Sequence, residues 1–238
     1  MKKTILFFIT SCFVLSMNAQ NDIIIDSNAS VRSLSGQFDA IKVSGGIDLY
    51  LSQSDNVAIA VSASDEKFKE GIKTVIEDGT LKIFYKGEVS WRKKDRKLRA
   101  YVSFKDLKKL EASGACDVVV TGSLSVATLA LQMSGASDFT GKVKTDVLKL
   151  NLSGASDAKI SGSAGTVVIE SSGASDVKGY DLVTDICKVN VSGASDVYIT
   201  VNTELSATAT GASDVSYKGN ALIKDMHSSG ASSIAKKD

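Results

Sequence analysis

Six aspartates stand at nearly equal intervals down the C-terminal half of the chain: Asp117, Asp138, Asp157, Asp176, Asp196 and Asp214. If one interval is one coil of a stacked structure, their carboxylates lie about 4.8 Å apart. At that spacing they repel by about 1 kcal/mol per neighbour even in water. Such a column needs compensation. It can be a row of cation sites, Ca²⁺ being an ion that takes oxygen ligands. Alternatively, backbone N–H groups at the turn that carries each aspartate hold the carboxylates. The second reading is preferred because the periodic position tracks the turn, and no metal or other cofactor is assigned.

Two further groups could bind a ligand. Tyr180, Tyr198 and Tyr217 follow the aspartate in three consecutive copies and are expected to share a face, where aromatic rings can stack on sugar rings. The plainer alternative is tyrosines scattered on a sheet surface. Trp91, Arg92, Lys93 and Lys94 open a nine-residue stretch, through Arg99, in which six residues are basic. It suits acidic glycans or lipid headgroups; the plainer alternative is a solvated loop leading into a strand. Catalysis has little support. His227 is the only histidine, and no nucleophile–base arrangement or metal-ligand spacing is visible. β-Helix lyases and hydrolases can work with Asp, Lys and Arg alone, but a uniform ladder gives no reason for one carboxylate pair to divide acid and base roles.

The elements that position these residues follow from the repeat. Ser-Gly-Ala-Ser-Asp or a close variant recurs with glycines at Gly114, Gly135, Gly154, Gly173, Gly193, Gly211 and Gly230, in steps of 21, 19, 19, 20, 18 and 19 residues. A period near twenty marks a stacked repeat. Before the motif, apolar and polar residues alternate, as in Leu148, Leu150 and Leu152 against Lys149 and Asn151, so this segment is a half-buried strand. A second short strand follows each aspartate. The predicted fold is all-β: a single-domain parallel β-helix (β-solenoid) of coils of about 19–20 residues. At the corner, glycine takes positive φ, alanine fits inside the bend, and Ser and Asp accept hydrogen bonds from corner N–H groups.

The N-terminal third is less regular. Ile41–Asp48 is a diverged copy of the motif. Strands are predicted over Val57–Ala63, Lys73–Ile76, Leu81–Tyr85 and Arg99–Phe104, with a hairpin turn at Asp78-Gly79 and a short helix over Asp65–Gly71. This region is expected to cover one end of the stack, where bare strand edges invite aggregation. Ser229–Asp238 is expected to close the other.

The chain has 238 residues and no proline, which suits strands bonded on both sides. Residues 36–110 carry 15 basic and 11 acidic groups, and residues 111–238 carry 10 and 14. That imbalance is too weak for nucleic-acid binding. Residues 1–20 read as a signal peptide, with Lys2 and Lys3 before an apolar run and cleavage near Gln20; a lipid anchor at Cys12 is the lesser alternative. Residues 21–37 form a lead segment and residues 38–238 the β-helix domain. Cys116 and Cys187 fall in different phases of the repeat and are expected to be unpaired, with Cys187 facing the core.

The Ser-Gly-Gly-Ile-Asp start, the Asp-Gly-Thr-Leu-Lys-Ile hairpin and the Ser-Gly-Ala-Ser-Asp ladder ending in Ser-Gly-Ala-Ser-Ser-Ile together resemble the head GIN domain family, the heads of autotransporter adhesins. The resemblance spans Phe38 to Ile234. It implies a right-handed parallel β-helix, a signal peptide and an extracytoplasmic location, in the periplasm, at the outer-membrane surface or secreted. The expected function is a noncatalytic adhesion or binding module with a glycan or another cell-surface component as partner. The alternatives are a structural envelope protein without a diffusible ligand and, third, a polysaccharide-active enzyme.

Overall fold

The computed structural model describes Asp26, residues 28–87 and residues 96–238. The expected signal segment, Cys12, Trp91, Arg92, Lys93 and Lys94 lie outside the described residues.

The chain forms a parallel β-solenoid. The less regular third contains β1 (Ser30–Arg32), β2 (Ala40–Ser44), β3 (Asp48–Gln53), β4 (Ala58–Ser62), helix α1 (Glu66–Gly71), β5 (Ile72–Glu77), β6 (Thr80–Tyr85) and β7 (Arg99–Phe104). The ladder contains β8 (Lys109–Gly114), β9 (Asp117–Gly135), β10 (Asp138–Leu152), β11 (Ala158–Ser171), β12 (Val177–Val191), β13 (Asp196–Gly211), β14 (Asp214–Lys218), β15 (Leu222–Gly230) and β16 (Ser233–Lys236). The two short strands expected per repeat are thus joined in β9–β13 into one long strand per coil, bent where it turns. Each of β9 to β12 pairs in parallel with the next, nineteen or so residues on.

Strand alternation produces the core. Leu148, Leu150 and Leu152 are buried, as are their register partners Val167, Ile169 and Ser171 one coil on. One continuous cluster runs from Ile41 to Tyr217. Cys116 and Cys187 are both buried and free.

The N-terminal third does cover one end. β1 and β4 add antiparallel strands beyond β7, and β5 adds one beyond β6. Asp78 and Gly79 take positive φ in the predicted hairpin. The order of coils in space is not the order in the chain, however. β2 lies between β6 and β8, and β3 lies between β7 and β9. The first coil is therefore second in the stack. The chain travels out to build the end and returns past its own first coil, where the Asp39 carbonyl accepts from Lys108 N–H at 2.7 Å. The opposite end differs from expectation. β15 and β16 pair on as a further coil instead of folding over the end, and Leu222 and Met226 remain exposed. No helix among the described residues is long and apolar enough to cross a membrane.

Candidate functional site

The corners come first, because they hold the aspartates. The motif glycines from Gly114 to Gly230 all have positive φ, a region open to glycine without a Cβ penalty. They also stack in direct contact: a Cβ at Gly154 would lie 2.5 Å from the Gly135 carbonyl oxygen. That carbonyl accepts from Ala155 N–H at 2.7 Å. Alanine does not sit inside the bend as expected. Ala136, Ala155 and Ala174 are exposed, while the next residue, Ser137, Ser156 or Ser175, is fully buried. The reason is parity. The glycine turns the chain so that the serine, two residues on, points inward.

The hydrogen bonding also differs from a corner that satisfies itself. Each carboxylate accepts the N–H of the next coil's aspartate: Asp157 N–H to Asp138 Oδ1 at 3.2 Å, Asp176 N–H to Asp157 Oδ1 at 3.3 Å, Asp196 N–H to Asp176 Oδ1 at 3.2 Å and Asp214 N–H to Asp196 Oδ1 at 3.3 Å. The serines run the opposite way. Ser137 N–H donates to Ser156 Oγ at 3.3 Å, and Ser156 N–H to Ser175 Oγ at 3.2 Å. Each corner is thus tied to both neighbours. Cys116 takes the serine position in the first regular coil, its N–H donating to Ser137 Oγ. Asp117 shares the register of Asp138, but there Asp138 N–H donates to the Cys116 carbonyl instead. Among the described residues, no group of three or more His, Cys, Asp or Glu is placed to hold a metal ion.

The three tyrosines do not share a face. Tyr198 stands two residues after Asp196 and Tyr180 four after Asp176, so both point outward. Tyr217 stands three after Asp214, so it points inward, and it is 8% exposed. Its register partner is the core residue Ile199. Tyr180 and Tyr198 meet edge-on with ring centroids 5.3 Å apart. Lys218 Nζ lies 5.1 Å from the Tyr180 ring centroid, within cation–π range. Burial, then the Asp196 carboxylate, raises the Tyr198 pKa, and its hydroxyl donates to Asp196 Oδ2 at 3.3 Å. A second tyrosine pair, the half-buried Tyr50 and the buried Tyr101, stacks at 5.2 Å. Sequence reasoning missed it, although Tyr50 lies two residues after Asp48, the phase of Tyr198.

Beside Tyr180 the repeat breaks. From Gly114 to Gly135 the coil has 21 residues; the two coils after it have 19 each, and the coil from Gly173 has 20. The extra residues are all spent on this face. β9 carries two extra residues opposite Thr140–Lys142, and β12 carries one extra opposite Lys159–Gly162. β13 is then three residues short opposite Gly179–Val183. Such bulges re-aim side chains. Here they raise Val120 to Gly122 on one side and Tyr180-Asp181 on the other above the two shorter coils. The result is a notch of about 600 Å³. Its walls stand three strand spacings apart, about 14 Å between backbones. Thr140, Gly141, Lys142, Lys159 and Ile160 line its floor, and Lys178 and Tyr198 lie at the Tyr180 wall. A Cβ at Gly141 would meet the buried Phe139 ring and Val120 at 2.9 Å, so the floor is packed tightly from beneath. Lys178 Nζ pairs with Asp157 Oδ2 at 2.8 Å, a hydrogen bond that raises the Lys178 pKa. The uneven steps between motif glycines were the sequence signal for this notch.

Solved structures share the fold. A putative adhesin from Bacteroides fragilis aligns with a TM-score of 0.78 at 19% identity, over 89% of this chain and 98% of that one. A putative lipid binding protein from Parabacteroides distasonis aligns at 0.69 and 20%, over 90% and 98%. A putative adhesin from Parabacteroides merdae aligns at 0.66 and 20%, over 90% and 98%. No curated protein matches the sequence. The family model described as putative auto-transporter adhesin, head GIN domain, matches residues 37–221, and with the glycine-cornered ladder running through that span the chain belongs to this family.

Proposed function

We propose that the chain is an extracytoplasmic, noncatalytic binding module that holds a carbohydrate of a cell surface or envelope in the notch beside Tyr180. One observation carries this reading. Most of the coil-length differences that break the repeat fall together on one face, and they frame a recess with two tyrosines at one wall. A scaffold alone needs no such break, because identical coils satisfy every corner. Aromatic rings beside hydroxyl and ammonium groups suit a sugar, whose faces are apolar and whose rim is polar. The family description as an adhesin head supports a surface role. The use of Asp138, Asp157, Asp176, Asp196 and Asp214 alike as backbone acceptors supports a noncatalytic one.

The test is a glycan array probed with wild type and Tyr180→Ala. A reproducible saccharide hit lost in Tyr180→Ala is expected. Silence across the array would favour the structural envelope role. Binding to lipid vesicles in place of saccharides would move the chain toward the lipid-binding description of its Parabacteroides distasonis neighbour.

A further inference from the structure

The cations around the notch are not equivalent. Lys178 is engaged by Asp157 at 2.8 Å and approaches Asp176 at 4.0 Å. Lys218 lies over the Tyr180 ring. Lys142 and Lys159 are both exposed on the floor, and no carboxylate among the described residues lies within ion-pairing distance of either. Thr140 is the register partner of Lys159, and Lys142 is two residues further along. The two lysines are therefore diagonal neighbours on adjacent coils, about 7–8 Å apart at the backbone. Two like charges at that separation gain nothing from each other. A single anionic group between them would be attracted to both and accept charge-assisted hydrogen bonds from both.

The nearby aspartates are directed to other partners. Asp138 and Asp157 each turn Oδ1 to a backbone N–H, and Asp157 gives Oδ2 to Lys178. Asp181, beside Tyr180 on the same wall, is the one carboxylate in the lining. The floor is thus a cationic spot two coils wide, with an aromatic wall one coil further on.

We infer that the notch selects an acidic saccharide, its carboxylate or sulfate seated between Lys142 and Lys159 and its ring against Tyr180. This rests on the carbohydrate reading above and adds the charge of the ligand to it.

Isothermal titration of the intact chain with trigalacturonate, its methyl ester and a sulfated disaccharide tests the inference. The trigalacturonate is expected to bind about tenfold more tightly than the uncharged ester, equivalent to about 1.4 kcal/mol. The advantage should shrink as salt rises. The double variant Lys142→Gln/Lys159→Gln should lose that advantage while still binding the ester, and Tyr180→Ala should weaken acid and ester alike. Comparison of the sulfated ligand with trigalacturonate tells which acid is preferred. Equal affinity for acid and ester would overturn charge selection and leave the carbohydrate reading standing. Full discrimination by the double variant would overturn the assignment to these two lysines. If no acidic ligand binds but a neutral glycan does, acid selection fails alone. If no saccharide binds at all, both readings fall. The replaced lysines are exposed, so unchanged melting temperatures in the variants are expected and separate lost binding from lost folding.

Discussion

Asp157 is the rung at which the two explanations of the carboxylate column part most clearly. Its Oδ1 accepts Asp176 N–H, its Oδ2 pairs with Lys178, and its own N–H donates to Asp138. Asp157→Asn keeps an oxygen for the Asp176 N–H. It gives up the Lys178 pair, whose side chains are 51% and 39% exposed; a pair in that setting contributes under about 1 kcal/mol. It also removes repulsion from Asp138 and Asp176. That repulsion is about 0.9 kcal/mol per neighbour at 4.8 Å in water and falls to about half at physiological salt. The two changes nearly cancel, so Asn should alter stability by under about 0.5 kcal/mol. Asp157→Ala relieves the same repulsion but leaves the Asp176 N–H without an acceptor in a partly buried corner, a loss of about 1–2 kcal/mol. For a chain of this size that corresponds to a fall of about 2–8 °C in melting temperature. Thermal unfolding of wild type, Asn and Ala, each with and without chelator, decides the matter. The expected order is wild type close to Asn, Ala lower, and chelator without effect. The structural account is refuted if Asn falls as far as Ala and chelator lowers the wild-type transition, with added Ca²⁺ restoring it.

Two other perturbations probe the same stack from different sides. Gly154→Ala places a Cβ 2.5 Å from the Gly135 carbonyl oxygen at a φ of +80°. It should destabilise by at least about 2 kcal/mol, since left-handed strain alone costs about 1–2; a urea midpoint unchanged from wild type would contradict the tight glycine column. Burial pushes the Cys187 thiol up to about 12 and raises that of Cys116, so in a chain prepared without residues 1–20, and so without Cys12, a thiol reagent at neutral pH should find almost nothing in the native state and two thiols in denaturant. A count near zero in denaturant would mean a disulfide that the register of the coils forbids.

How much of this was legible in the residues depends on how local each feature is. The strands before each motif could be read directly, because alternation such as Leu148-Lys149-Leu150-Asn151-Leu152 reports burial at each position. The same held for the Asp78-Gly79 turn and the free cysteines. The outward alanine was misplaced, and the inward direction of the serine was not read at all, because a corner interrupts alternation. Parity must be restarted after the glycine, and nothing in Gly-Ala-Ser alone says where. Tyr217 was misplaced for a simpler reason: counting from Asp214 puts it at an odd, inward position, while Tyr180 and Tyr198 are even. The insertion of β2 and β3 into the middle of the growing stack left no local trace. Each of those strands would look the same beside either neighbour, and only long-range pairing distinguishes the two.

The notch occupies an intermediate level, and this is why it is informative. In a strict repeat every coil solves its corner in the same way, so a difference in coil length must be absorbed somewhere. Here the corner column and the strand that precedes each motif keep their register from β9 to β13, while the face carrying Lys142, Lys159 and Tyr180 takes up most of the irregularity. Packing explains where irregularity is tolerated: the glycine column leaves no room for a Cβ, and an extra residue on an open face can loop outward into water. It does not explain why the longer coils flank the shorter ones on the face that also carries Tyr180 and Tyr198. Shortening β12 by one residue, by deleting Asp181, should remove the bulge and lower the wall, leaving Gly179 inward, Tyr180 outward and Leu182 inward in strict alternation while the corners on either side keep their bonds. A binding function predicts that this deletion abolishes saccharide binding with a modest change in melting temperature. A purely structural bulge predicts the reverse: a large loss of stability with saccharide binding little changed.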